Sequence, residues 1–246
     1  MFLERIADVL IYIGKNLSFY GASATEIEYY ISKISDAYDI DVNIAAIGTV
    51  ITLTVVDDHG KSITRIERVS YSEINFEKLS LWENMIKRVT EEKPTIFTLK
   101  QWIKDIEKKE NSLGISFWKN IIAVFIASFG FCFVFRGNYK DAIASGISAL
   151  LVYMATYKIT SKIFRDFLAG LLVYSVIKLI SKIVSISIFP SLAGGIMVFV
   201  PGLLLTNAIM EIGDRNLVSG SSKLMEAIFM LGSLVLGAAM ASALWG

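Results

Sequence analysis

This chain has little of what enzymes and secreted scaffolds rely on: 1 cysteine, 1 histidine and 3 prolines in 246 residues, with 19% charged residues. The lone cysteine, Cys132, lies in an apolar run and excludes a disulfide framework. A single histidine without other soft ligands nearby excludes a zinc site, and no metal or other cofactor is expected. His59 sits among Asp57, Asp58 and Gly60, a composition that reads as a solvated turn. A net charge of +1 leaves no electrostatic footprint for nucleic acid. No glycine-rich phosphate loop follows a strand pattern, and no Ser/His/Asp or Cys/His set can be assembled, so an enzyme is not expected. The N-terminal residues do not read as a signal peptide, because Glu4, Asp8 and Lys15 interrupt any apolar core there.

What the chain does have is apolar surface: 54% hydrophobic residues and a mean hydropathy of +0.57, values that suit a membrane protein. Its charge is uneven. Residues 1–120 hold 15 Lys/Arg against 18 Asp/Glu, whereas residues 121–246 hold 9 against 5. The expected organisation is an N-terminal cytoplasmic α/β head over residues 1–115 and an α-helical polytopic membrane domain over 116–246. In the head, Leu3, Ile6, Leu10 and Ile13 recur at helical spacing, and Ser23 or Thr25 caps a second helix with Ile27, Ile31, Ile34 and Tyr38 on its apolar face. Residues 42–47, 50–56 and 62–69 are rich in β-branched residues, with Ile51, Leu53 and Val55 alternating against Thr52 and Thr54. Two further helices are expected near 76–90 and 94–110. The second carries Leu99, Trp102, Ile103 and Ile106 on one face, either as a collar on a membrane surface or as packing against the head's own sheet.

About five membrane spans can be drawn, near 117–135, 142–157, 167–188, 191–210 and 224–245, each close to the ~20 residues a bilayer requires. Lys158, Lys162, Arg165, Arg215 and Lys223 fall in the loops on the head's side, so the positive-inside rule favours a cytoplasmic N-terminus and an outside C-terminus. In the last span Gly237 and Ala241, Ala238 and Ser242, and Ala239 and Ala243 are spaced for close helix approach, which suggests assembly with other membrane helices, a homo-oligomer included.

Polar groups at membrane depth cost about 2.5–3.5 kcal/mol each on insertion scales and are usually paired or functional. Lys178 and Lys182 share a helix face and either attract a carboxylate or snorkel to the interface. Asp141 and Glu226 stand at span starts, as coupling acids or as helix caps. Pro201-Gly202 interrupts the fourth span, where proline removes a helix hydrogen bond. That break is either a plain kink or the discontinuous helix of a transport site, with Gly194, Gly195 and Asn207 beside it.

The run Pro201-Gly202, Ala208, Gly213-Asp214, Ser219-Gly220 and the helix that follows resembles the pattern of the threonine/serine exporter family. Tyr20-Gly21-Ala22-Ser23 with Glu26-Ile27-Glu28, and Asp58-His59-Gly60 leading into Thr64-Arg65 and Arg68-Val69, are similar to that family's head. The resemblance implies an inner-membrane exporter of threonine, serine or related carboxylates, driven by the proton motive force. It implies the longer half of the split two-component form, completed by a shorter multi-span membrane protein of the same family. On this reading the helix N-terminus after Pro201-Gly202 receives a substrate carboxylate. Glu211, Gly213, Asp214, Ser219 and Gly220 then form a cytoplasmic gate or a structural turn. Two competing readings are a membrane-anchored sensory or scaffolding protein whose head carries the activity, and a membrane-embedded enzyme.

Overall fold

A computed structural model describes residues 2–57, 59–69, 75–109 and 117–245. Asp58 of the expected turn, the expected helix end at Glu110 and the expected domain boundary at 115/116 lie outside them. The described residues are mostly helical, with ten helices and one three-stranded sheet. They divide into two compact units: residues 1–114 with 206–223, and residues 115–205 with 224–246.

The first unit is built on helices α1 (Phe2–Phe19) and α2 (Ala24–Ala37), strands β1 (Asp41–Ile47), β2 (Val50–Val56) and β3 (Ser62–Arg68), and helices α3 (Phe76–Glu92) and α4 (Ile96–Lys108). The strands form an antiparallel meander in the order β1-β2-β3, with Ile51 opposite Ala46 and Glu67. Strict alternation on β2 sends Ile51, Leu53 and Val55 into a core shared with Ile6, Leu10, Ile13 and Leu17 of α1 and Ile27, Ile31 and Ile34 of α2. The turn between β2 and β3 is held by the Asp57 carboxylate, which accepts the His59 and Lys61 N–H groups, with Gly60 at φ 76°. Leu99 and Ile103 of α4 are buried in the same core, and Trp102 and Ile106 pack against it, so the α4 face is used for packing within the unit rather than left free as a collar. Lys78, itself buried, donates to the Ile106 and Lys109 carbonyls and so neutralises the end of α4.

The second unit contains α5 (Phe117–Val134), α6 (Tyr139–Thr156), α7 (Lys162–Ser181) and α8 (Ile188–Met197). Two helices cross the division of the chain: α9 (Gly202–Gly213) and α10 (Leu217–Trp245). The third stretch drawn from sequence ends early, since α7 stops at Ser181 and α8 begins at Ile188, with Pro190 tolerated in its first turn. Among the described residues α10 is long and apolar enough to cross a membrane, and α8 with α9, bent by 67° at their break, qualifies if the pair counts as one span. The starts of α6 and α7, with Lys140, Asp141, Lys162, Arg165 and Asp166, lower their apolar character.

Helix packing in this unit depends on residues without bulk. A Cβ at Gly170 would sit 2.0 Å from the Leu234 carbonyl oxygen, and one at Gly237 2.0 Å from that of Phe167. These two glycines let α7 and α10 touch backbone to backbone. Part of the small-residue seam read from sequence is therefore used inside the chain: Gly237 and Ala241 are buried, while Ala239, Ser242 and Ala243 stay exposed.

Candidate functional site

The break expected at Pro201-Gly202 is a turn over residues 198–201, after which α9 starts at Gly202. The geometry follows from proline: Pro201 has no N–H to continue a helix, yet its carbonyl accepts the Leu205 N–H and opens the next one. Phe199 and Val200 are partly buried, packing with Leu192 and Ile196 against Val152, Ala169, Val173, Ile177 and Leu234, whereas Gly202 is exposed. Packing of the first kind suits irregular backbone at membrane depth.

Gly194 and Gly195 are buried in α8 because neighbouring backbone and hydroxyls occupy the room a side chain would need. A Cβ on Gly194 would lie 2.5 Å from the Ser145 hydroxyl and 2.8 Å from the Cys132 nitrogen, and one on Gly195 2.8 Å from Val173 and 2.9 Å from the Ser148 hydroxyl. The Ser128 hydroxyl lies within hydrogen-bond reach of the Ser145 and Gly194 carbonyls (3.1 and 3.0 Å) and of the Ser145 hydroxyl (2.9 Å). This buried hydroxyl seam binds α5, α6 and α8 together. The sequence reading missed it, although Ser145 and Ser148 recur at helical spacing in α6.

Asp141 is 1% exposed and fully engaged. One carboxylate oxygen accepts the Asn138 N–H at 3.0 Å in a capping box, and the other accepts the Ser187 N–H at 2.7 Å ahead of α8. It therefore caps two helices at once. Lys178 lies in the last turn of α7 and Lys182 caps it, where cations suit the helix dipole. The Lys182 ammonium rests 4.8 Å from the centre of the Trp245 ring, and the Trp245 indole N–H donates to Ser175 at 3.2 Å. Glu226, half-exposed, pairs with Lys162 at 3.4 Å. A further acid went unnoticed in the sequence: Asp166 is fully buried near the start of α7, with one oxygen 3.3 Å from the Arg165 guanidinium and the other without a hydrogen-bond partner.

The residues proposed as gate or turn fall in the first unit. Asn207 is half-buried on α9. Gly213 ends α9 and Asp214 is exposed, but the left-handed position of the turn is Arg215, at φ 65°. The Asn216 N–H closes the turn on the Glu211 carbonyl at 2.8 Å. Gly220 is buried where α10 crosses α9, since a Cβ there would meet Ile212 at 2.7 Å and the Ala208 carbonyl at 2.9 Å. Ser219 is 1% exposed and its hydroxyl has no partner. Glu211 is fully buried; its Oε1 accepts the Ala24 N–H at 2.7 Å and pairs with the Lys223 ammonium. Neither Ala24 nor Lys223 was singled out as its partner from the sequence.

Among the described residues no group of three or more His, Cys, Asp and Glu side chains could hold a metal ion. In comparisons with known proteins, the family model described as "Putative threonine/serine exporter" matches residues 8–245. Neither the curated proteins nor the solved structures compared with the chain include a match.

Proposed function

The chain belongs to the threonine/serine exporter family, and from that premise we propose that it is one subunit of an inner-membrane exporter of threonine, serine or related small carboxylates. The observation that carries this reading is the broken apolar helix. Two segments, α8 and α9, are bent by 67° at a turn whose Phe199 and Val200 pack against neighbouring helices while Gly202 stays exposed. A break of this kind supports a substrate path, because a first helical turn offers N–H groups and a positive dipole end to a carboxylate. Pro201, Gly202 and Asn207 line that path in this proposal, Gly194 and Gly195 allow α8 its close approach, and Lys178 and Lys182 draw anions toward its outer end.

The proposed membrane domain has five spans, formed by α5, α6, α7, the α8–α9 pair and α10, and the same chain carries a cytoplasmic α/β head. Its apolar exterior supports this, with Ile122, Ile126, Val134, Leu151, Phe229, Val235 and Leu244 all exposed. Positive-inside charges support a cytoplasmic N-terminus and an outside C-terminus. An odd number of spans and the exposed Ala239/Ala243 ridge support a second, shorter membrane subunit of the same family, or a further copy of this chain. For coupling to the proton motive force, Glu226 is the better placed of the two acids. It is half-exposed with one cation partner, whereas both oxygens of Asp141 already serve N–H groups.

The test is efflux of labelled threonine, serine and succinate from cells with and without this chain, each with and without its small membrane partner. Export of at least one substrate that requires the chain is the expected result. Unchanged efflux of all of them refutes the reading. Substituting Pro201 and Asn207 separately, with insertion verified, is expected to slow export, and normal rates in both would reduce the break to a packing kink.

A further inference from the structure

One buried carboxylate ties α2 to the parts of α9 and α10 that belong to the first unit. We propose that Glu211 is a positioning residue whose carboxylate clamps the end of α9 to α2 and α10, and that this clamp sets the rate of transport; the second part rests on the exporter reading. The local accounting at α2 points to it. Its capping box satisfies its own ends: Ser23 Oγ accepts the Glu26 N–H, and Glu26 Oε2 accepts the Ser23 N–H at 2.7 Å. The N–H of Ala24, the first helical residue, is left over by the box, and Glu211 accepts it from 187 positions away. The α2 dipole adds to that bond, since a carboxylate at a helix N-terminus is stabilised.

The α9–α10 crossing brings in the third partner. Gly220 admits the Ala208 carbonyl, and Lys223 and Glu211 stand three positions beyond those two residues on their own helices. Residues three apart share a helix face, so Lys223 lies on the face of α10 that Gly220 presents to α9, and its ammonium reaches the Glu211 carboxylate. The ammonium and the Ala24 N–H both serve Oε1, while Oε2 is buried without a partner. Burying a charge this way is costly, and apolar packing would hold three helices together more cheaply. A retained buried charge fixes one arrangement among several. Here it fixes the end of α9 opposite its proline break. With 12 residues, α9 is about 18 Å long, and Glu211 stands near its C-terminal end, nine positions after Gly202.

The test uses the full chain with its small partner, reconstituted in liposomes, and follows hydrogen exchange at residues 24–27 together with labelled-threonine export. Glu211→Ala is expected to raise exchange of the first α2 turn and to lower Vmax about tenfold, the scale of losing a charge-assisted hydrogen bond, with KM within a factor of ~2. Lys223→Arg is expected to keep both readouts near the parent, because it preserves the charge. The swap Glu211→Lys with Lys223→Glu distinguishes a clamp from a simple ion pair. It restores opposite charges but presents a cation to the α2 N-terminus, so rescue is not expected. Unchanged exchange in Glu211→Ala, or full rescue by the swap, overturns the clamp. Unchanged Vmax with altered exchange overturns its role in transport. A parent chain that exports no candidate substrate overturns the exporter reading, and exchange alone then decides the clamp.

Discussion

Adding one methyl group at Gly170 or Gly237 is the most direct challenge to the proposed packing of the second unit. At each position the new Cβ would lie 2.0 Å from a backbone carbonyl oxygen of the facing helix, Leu234 or Phe167. No rotamer change relieves a clash with backbone, so α7 and α10 must part by roughly 1 Å before the contact becomes tolerable. Overpacking costs typically ~1–3 kcal/mol, and the upper half of that range applies where the obstacle cannot move alone. Gly130 and Gly232 provide the control, because a Cβ at either meets nothing within 4 Å. There alanine is expected to stabilise by about 0.4–1 kcal/mol through its better helix propensity and stiffer unfolded chain. Thermal unfolding of the purified chain in nanodiscs reads the contrast. Gly170→Ala and Gly237→Ala are expected to melt roughly 5–10 °C below the parent, and Gly130→Ala and Gly232→Ala at or slightly above it. The double variant Gly170→Ala/Gly237→Ala is expected to cost less than the two single losses together, because one separation relieves both clashes. If all four single variants melt alike, the backbone-to-backbone crossing is wrong.

Two further outcomes follow from individual side chains. Asp141→Ala removes the acceptor of the Asn138 and Ser187 N–H groups and is expected to destabilise by about 3 kcal/mol, with Asp141→Asn retaining part of it, read by the same melting assay. Tyr30 titrates in the first unit: burial, reinforced by the Glu83 carboxylate beside it, pushes its phenol from the ordinary 10.0 up to about 12. The fold holds the proton that the unfolded chain releases first, so the Tyr30 contribution is fully present below pH 10.0 and is lost as the pH rises through about 12. Denaturant titrations of the full chain across that window should show the fall, and Tyr30→Phe should flatten it.

Periodicity carried most of the fold. The Ile51-Leu53-Val55 alternation was readable because β2 is the central strand and one of its faces lies on helices. Pro201 was readable for a different reason, since proline states in the sequence that a hydrogen bond is missing. The turn after α9 was readable from Gly213-Asp214 only as a turn or gate, and its left-handed residue, Arg215, carries no sequence signal for that conformation. The partners of Glu211 were unreadable in principle. One is a backbone N–H, which every residue except proline carries, and the other stands across a turn whose geometry the sequence does not encode locally. Gly170 was passed over likewise, because a glycine inside a helix reveals a close crossing only when the facing helix is known.

Polar bonds hold the stretch from Ile188 to Gly213 from both of its helices. On the α8 side, Asp141 accepts the Ser187 N–H just ahead of the helix, and Ser128 donates to the Gly194 carbonyl midway along it. On the α9 side, Glu211 is held near the far end by Ala24 and Lys223. In the turn between, the Phe199, Val200 and Gly202 N–H groups donate at short range to the Ile196, Met197 and Val200 carbonyls. Phe199 and Val200 add apolar contacts, which have no direction. Directional bonds break over tenths of an ångström, whereas apolar contacts slide. Substitutions at Asp141 and Glu211 therefore act on the helices that flank the break, while a substitution at Pro201 changes the break itself.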